Sequence, residues 1–131
     1  MTEDFQPQIF EFFAQKLEAK FPGVKLSSVI TDQPPSFPCV QIEQDDLPTD
    51  HDNSGRIRFV NVRLRVRVYT TGNTKTSQAR KIQMCIDEIA NSLNFTRQSH
   101  ITRGYLYQNS AYRTETTYGA RMTEDGVLTR T

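Results

Sequence analysis

The stretch Arg58-Phe-Val-Asn-Val-Arg-Leu-Arg-Val-Arg-Val-Tyr69 decides how this chain of 131 residues folds. From Asn61 onward apolar and polar residues alternate strictly, and side chains on a β-strand point to opposite faces with a period of two. The alternation predicts a strand over residues 57–70 with one core face and one arginine face. The core-face residues are Val62, Leu64, Val66 and Val68, and the opposite row is Arg63, Arg65, Arg67 and Tyr69.

The arginine row predicts an interaction surface, because a guanidinium group binds carboxylates and phosphates through a planar, bidentate fork. Two kinds of partner are open. The row of Arg63, Arg65 and Arg67 pairs across the sheet with acidic residues, or it is presented to nucleic acid. Only Tyr69 shares the face, which supports base stacking poorly. Acidic residues from the first half of the chain are nearer at hand than phosphate.

Helical periodicity flanks this strand on both sides. A phenylalanine-rich helix is predicted over residues 5–21, ended by Pro22-Gly23, and a second amphipathic helix over residues 75–93. The remaining periodic segments predict strands over residues 24–31, 39–43, 96–107, 111–122 and 127–131. The order αβββαβββ predicts a single α+β domain over residues 1–131, with a mostly antiparallel sheet flanked by two helices.

The first helix has an unusually wide apolar stripe, with five phenylalanines in seventeen residues. Phe10, Phe13 and Leu17 lie near its middle, and we expect them in the core. Phe5 and Phe12 flank one side of the stripe. Because one sheet rarely covers so wide a stripe, these two residues are candidates for contact with another subunit.

The segment 44–56 is acidic and contains almost no apolar residues, which predicts a long, mobile, solvated loop. Its acidic residues are candidates for a partner interface: Asp45, Asp46, Asp50 and Asp52. The residues from Asp50 to Gly55 match the opening of an EF-hand loop. The match fails at its twelfth position, where Asn61 replaces the bidentate glutamate, so no metal site is predicted.

Charge is divided unevenly along a chain whose formal net charge is only +1. Residues 1–55 contain three lysines and ten acids, a net −7, whereas residues 56–131 carry a net +8. The two halves either neutralise each other within one molecule, or an acidic surface meets a basic surface on a neighbouring copy. Head-to-tail contacts of the second kind close into rings or grow into filaments.

Catalytic and cofactor motifs are not recognisable in the sequence. Cys39 and Cys85 lie in apolar patterns typical of buried free thiols. His51 and His100 have no nucleophile at a suggestive spacing, so no enzymatic activity is predicted. Gly72-Asn-Thr-Lys75 lacks the first glycine of a phosphate-binding loop, so no cofactor site is predicted. No apolar run approaches the ~18 residues of a membrane span, and the acidic N-terminus is unlike a secretory signal.

Four features, taken in this order, form a pattern similar to that of a known family. The phenylalanine-rich helix ends at Phe21-Pro-Gly23, and a proline-rich crossing over residues 34–38 leads into Cys39-Val-Gln-Ile42. The alternating strand Val62–Tyr69 feeds the helix that contains Arg80–Ile89. The segment Tyr112–Arg121 is closed by Glu124-Asp-Gly126. In these features, which span nearly the whole chain, the protein resembles the tail terminator proteins of long-tailed bacteriophages, also called tail completion or head–tail joining proteins.

The resemblance implies a structural virion protein without catalytic residues. Members of this family cap the tail tube as a homo-oligomeric ring, typically a hexamer, which ends tail polymerisation and joins the tail to the head or neck connector. The implied partners are other copies of the chain, the tail tube protein, the head-completion protein and DNA that passes through the ring without sequence-specific binding, with no membrane involved. The implied location is the tail–neck junction of a virion assembled in bacterial cytoplasm. The alternative is a cytoplasmic nucleic-acid-binding module that uses the Arg63, Arg65 and Arg67 face.

Overall fold

The computed structural model describes residues 2–30, 36–51, 57–72, 74–106, 111–123 and 127–130. In this part of the chain two helices cover one face of a six-stranded sheet. The elements, in chain order, are α1 (Thr2–Lys20), β1 (Lys25–Ser27), β2 (Cys39–His51), β3 (Ile57–Thr71), α2 (Lys75–Ser92), β4 (Thr96–Leu106), β5 (Ala111–Thr123) and β6 (Leu128–Thr129). The predicted α+β class and the order αβββαβββ are confirmed.

The strand that decides the fold, β3, lies in the middle of the sheet. The strand order is β1-β2-β3-β5-β4, and the short β6 pairs with β5. Strand β1 runs parallel to β2, and the other described pairs are antiparallel. Because β3 is paired along most of its length with β2 on one side and β5 on the other, its arginine row has two flanking strands from which partners can come.

The core lies between the sheet and the two helices, and the predicted core face of β3 is confirmed. Val62, Leu64, Val66 and Val68 are each at most 1% exposed. Helix α1 packs against β2, and α2 packs against β3 and β5. Each buried aliphatic side chain contributes about 1.5–3 kcal/mol to the free energy of unfolding. The helix residues buried in this core include Ile9, Phe13, Leu17, Ala79, Ile82, Cys85, Ile86, Ile89 and Ala90.

The buried stripe of α1 contains the predicted Phe13 and Leu17, but its first member is Ile9 and not Phe10. Ile9, Phe13 and Leu17 are almost fully buried and lie four residues apart, one turn above another. The prediction that Phe10 is a core residue is wrong, since Phe10 is only half-buried against the core. Its position one residue from Ile9 rotates it by about 100° around the helix. Phe12 is also half-buried, as expected for a flanking residue, whereas the side chain of Phe5 lies outside the described residues.

The prediction of a loop over residues 44–56 is wrong for its first eight residues, because Gln44–His51 continues β2 and pairs with β3. The register shifts between Pro48 and Asp50, and such a bulge accommodates a proline that cannot donate to the ladder. Backbone hydrogen bonds to β3 form a strand here without requiring apolar side chains. Residues 52–56, and with them the predicted interface residue Asp52, lie outside the described residues.

Both cysteines are buried free thiols, as predicted. Burial raises the pKa of Cys39 and of Cys85 above the ordinary thiol value. A buried, protonated thiol is a weak nucleophile, because the thiolate is the reactive form. The two cysteines therefore behave as small core residues.

Candidate interaction surface

The arginine row lies on the face of the sheet away from the helices, and carboxylates from both neighbouring strands pair with it. The β2–β3 register places Asp45 opposite Arg63 and Glu43 opposite Arg65. The Arg63 Nη2 to Asp45 Oδ2 distance is 2.9 Å, and the Arg65 Nη2 to Glu43 Oε1 distance is 2.6 Å. On the other side Arg67 donates from Nε to Oε1 of Glu115 in β5, at 2.7 Å.

These three ion pairs differ in burial along β3. The Arg63 side chain is 51% exposed and that of Arg67 only 14%. At the end of the row Tyr69 is fully buried, and the Arg67 Nη1 to Tyr69 hydroxyl distance is 3.4 Å. Exposed pairs contribute little to stability, about 0–1 kcal/mol, because water and salt screen them. The pair of Arg67 with Glu115 is the least screened of the three, so breaking it would leave a partly buried charge without its partner.

The same face carries more arginines than carboxylates among its described side chains. Arg113 and Arg121 lie opposite Tyr69 and Asn61, so they share the face with the row. On β2, β3 and β5 the described side chains of this face therefore include five arginines and three carboxylates, a net charge of +2. A hollow of about 320 Å³ lies at its exposed end, lined by Glu43, Asp45, Arg63, Arg65 and Thr117. We call this surface the arginine face.

The predicted interface residues fall on different surfaces. Arg63, Arg65, Arg67 and Asp45 come together on the arginine face, but Asp46 belongs to the opposite face of β2, where its Oδ1 accepts a hydrogen bond from Gln44 Nε2 at 2.9 Å. The backbone of Asp50 lies in β2 opposite Phe59, which excludes an EF-hand loop beginning at that residue.

Phe12 lies on the helix layer, away from the arginine face. It lines a groove of about 400 Å³ between α1 and α2. The Lys16 ammonium nitrogen lies 5.5 Å from the centroid of its ring. The arginine face and the flank of α1 are therefore two separate surfaces, as a head-to-tail contact between copies requires.

A polar network under α2 is a second candidate site, which the sequence analysis missed. Gln83 is buried and donates from Nε2 to the Tyr118 hydroxyl at 2.7 Å and to Asp87 Oδ1 at 3.0 Å. Tyr118 also donates a short hydrogen bond to Asp87. Arg97 completes the cluster, with its Nη1 3.3 Å from Asp87 Oδ2. Asp87 thus accepts from three donors and acts as the anionic end of the network.

The other end of the network is His100. The Thr116 hydroxyl donates to Gln83 Oε1 at 3.1 Å, so it must accept from His100 Nδ1, 2.7 Å away. This pattern requires a proton on Nδ1 of His100. Burial, and then the positive charge of Arg97, lowers the pKa of His100 below its usual value. Burial and the hydrogen bond to Asp87 raise the pKa of Tyr118 well above its usual range.

A cleft of about 270 Å³ opens beside this network, between α2 and the β4–β5 side of the sheet. The signal for it in the sequence is the polar helix-facing side of β5. Thr114, Thr116 and Tyr118 alternate with residues of the arginine face, and their polar atoms need partners in the core. On α2, Gln83 and Asp87 lie four residues apart and supply partners to Thr116 and Tyr118. We call this cleft, including the network residues in its wall, the α2 cleft.

No helix in the part of the chain that the structure describes is long and apolar enough to span a membrane. No protein-family model matches the chain, and no curated protein sequence matches it at a significant level.

Proposed function

We propose that the protein is a tail terminator of a long-tailed bacteriophage, which caps the tail tube as a ring of identical subunits and joins the tail to the head or neck connector. The observation that carries the proposal is the order αβββαβββ, which runs through the same segments on which the resemblance rests. The phenylalanine-rich α1 precedes the turn at Pro22-Gly23, the proline-rich crossing leads into β2, and the alternating β3 feeds α2.

Charge and shape support contacts between copies. The arginine face has a net charge of +2 among its described side chains. On the helix layer, Glu11 and Glu18 are exposed carboxylates without an ion pair to any described residue. A ring needs two different, complementary surfaces on each subunit. The arginine face and the α1 flank, with its half-exposed Phe12, provide such a pair.

The arginine face also bears on the nucleic-acid alternative. Arg63, Arg65 and Arg67 each have a carboxylate within 3 Å. A phosphate would have to compete with these carboxylates, or bind beside them. Contact between the ring and DNA in its lumen needs only the residual positive charge and no base recognition.

The test is the mass of the full-length chain under native conditions, measured over a wide range of protein concentration. A hexamer of the 15.1 kDa chain has a mass of about 91 kDa, and electron microscopy should show rings of that mass. A monomer at every concentration, together with nucleic-acid binding that falls steeply as salt rises, would favour the binding-module alternative instead. A monomer that binds no nucleic acid would contradict both proposals.

A further inference from the structure

The α2 cleft contains a buried hydroxyl group that has no partner within the described protein. Thr114 is only 4% exposed and lines the cleft, and its Oγ1 makes no hydrogen bond in the described part of the chain. Burying a hydroxyl without a partner costs about 1–3 kcal/mol. Two residues further along β5, Thr116 faces the same side of the sheet and is fully partnered. Within the described residues, the Thr114 hydroxyl is therefore unpartnered where that of Thr116 is not, and Thr96 in β4, which does not line the cleft, has a second unpartnered buried hydroxyl.

The charges of the cleft favour a single negative charge. Arg80 and Arg97 line it together with Asp87, which gives a net charge of +1 while His100 is neutral. Arg97 is already paired with Asp87, whereas Arg80 is exposed and has no ion pair to any described residue. Asp87 disfavours a dianion such as phosphate, because like charges at close range repel.

The N-terminus of α2 adds to this preference. Thr76 lies in the first turn of α2 and lines the cleft. The backbone N–H groups of a first turn have no partner within the helix and attract anions. In α2, Thr74 makes no side-chain capping hydrogen bond, and the first turn contains no acidic residue. The partial positive charge of this helix end therefore has no acidic neighbour in its own turn.

The remaining lining residues suit a short aliphatic group attached to the anion. Ala79, Met84 and Tyr112 contribute apolar surface to the wall. We propose that the α2 cleft is a binding site for a single carboxylate group on a short aliphatic stem, which accepts a hydrogen bond from the Thr114 hydroxyl and pairs with Arg80. Such a group is either a free small carboxylate or the side chain of an aspartate or glutamate in another protein chain. The site does not depend on the proposed ring.

The experiment is a titration of the ¹⁵N-labelled full-length chain with sodium acetate at constant ionic strength, followed by NMR, with sodium chloride as the reference salt. We expect saturable shifts confined to residues around the cleft. The Thr114→Val variant keeps the shape but removes the donor, and it should weaken acetate binding by about tenfold or more, since a hydrogen bond to a charged group contributes about 1.5–3 kcal/mol. Arg80→Gln should also weaken binding, whereas Lys81→Gln, an exposed neighbour that does not line the cleft, should not.

Two further titrations distinguish the sources of the carboxylate. The first uses a blocked tripeptide, acetyl-Ala-Glu-Ala-amide. If it binds more tightly than acetate, the natural ligand is a carboxylate side chain of another protein chain. Acetate binding without binding of the tripeptide indicates a free small carboxylate. Absence of saturable shifts with both probes, tighter binding of inorganic phosphate, or unchanged acetate affinity in Thr114→Val would overturn the proposal.

Discussion

Individual polar residues inside the α2–β5 interface have opposite energetic roles although they look alike in sequence. Thr114 and Thr116 are both buried threonines on the same face of β5. The Thr116 hydroxyl links Gln83 to His100, whereas that of Thr114 has no partner in the described chain. Removing a partnered hydroxyl leaves other groups unsatisfied, but removing an orphan hydroxyl relieves a penalty.

This difference predicts opposite effects of the same substitution. Thr116→Val should lower the free energy of unfolding by about 1–3 kcal/mol, because Gln83 loses a donor and His100 loses an acceptor. Thr114→Val should leave stability unchanged or raise it slightly. Chemical denaturation of the two variants measures the difference. A large loss of stability in Thr114→Val would mean that its hydroxyl is satisfied in the folded protein without any ligand.

The lowered pKa of His100 predicts a dependence of stability on pH. An unfolded histidine titrates at about 6.5. As pH falls through 6.5 the unfolded chain takes up this proton before the folded chain does, so the free energy of unfolding falls until pH drops below the folded pKa. The loss should be modest because His100 is exposed. The loss between pH 7.5 and 5.5 should be smaller in His100→Asn than in the native protein. An equal loss in the native protein and in His100→Asn would exclude His100 as its source.

At the scale of the elements, β3 is held by ion pairs whose strength follows burial. Arg67 with Glu115 and Arg63 with Asp45 are both directly opposite pairs in the register of the sheet. The first is largely buried and the second about half exposed. Double-mutant cycles with alanine should therefore give a coupling energy of about 1–3 kcal/mol for the first pair and below about 1 kcal/mol for the second. Raised salt should weaken only the second coupling. Equal couplings would mean that burial does not set the strength of these pairs.

Helix α1 offers a matched pair of adjacent phenylalanines. Phe13 is fully buried, and Phe12 is half-buried at the groove between the helices. Phe13→Ala should lower the free energy of unfolding by about 3–5 kcal/mol. Phe12→Ala should lower it less and should reduce oligomer mass in native measurements. Equal losses of stability with unchanged assembly would place the entire apolar stripe inside one subunit.

The sequence predicts an element accurately where its apolar residues repeat with the period of a strand or a helix, and poorly where they are too few to repeat. The strict alternation of β3 and the helical stripe of α2 predict their elements to within one residue, because the buried faces impose the period. The second half of β2 was predicted as a loop, since Gln44–His51 has too few apolar residues to show a period. Its pairing depends on partners in β3 that are distant in sequence, such as Arg63 for Asp45.

The polar sites show the same limit. The sequence predicts the arginine row, because the row is visible within one strand, but leaves open whether carboxylates or phosphates pair with it. The α2 cleft combines residues from α2, β4 and β5. Thr114 and Thr116 differ only in what lies next to them in space. No local pattern distinguishes them, so the orphan hydroxyl is found only once the three elements are placed together.

At the scale of the whole molecule, the ion pairs of the arginine face limit which arginines can be substituted to test the proposed ring. Reversing all of Arg63, Arg65 and Arg67 to glutamate would put like charges beside Glu43, Asp45 and Glu115, so the sheet itself would be destabilised. Arg67 in particular is needed for the fold. The two exposed arginines, Arg63 and Arg65, are the ones that probe a partner with little effect on the monomer.

The double variant Arg63→Gln/Arg65→Gln should unfold cooperatively, with stability within about 2 kcal/mol of the native protein, because each of the two pairs contributes about 0–1 kcal/mol. If copies meet head to tail through the arginine face, the variant should lose oligomer mass under native conditions. The control, Lys81→Gln, removes a charge from an exposed position on α2 outside both the arginine face and the groove beside Phe12, and it should assemble normally. Normal assembly of the arginine variant at both low and high salt would mean that the arginine face is ordinary solvated surface, and that the contacts of any ring lie elsewhere. Loss of assembly in both variants would point to net charge, and not to this face, as the cause.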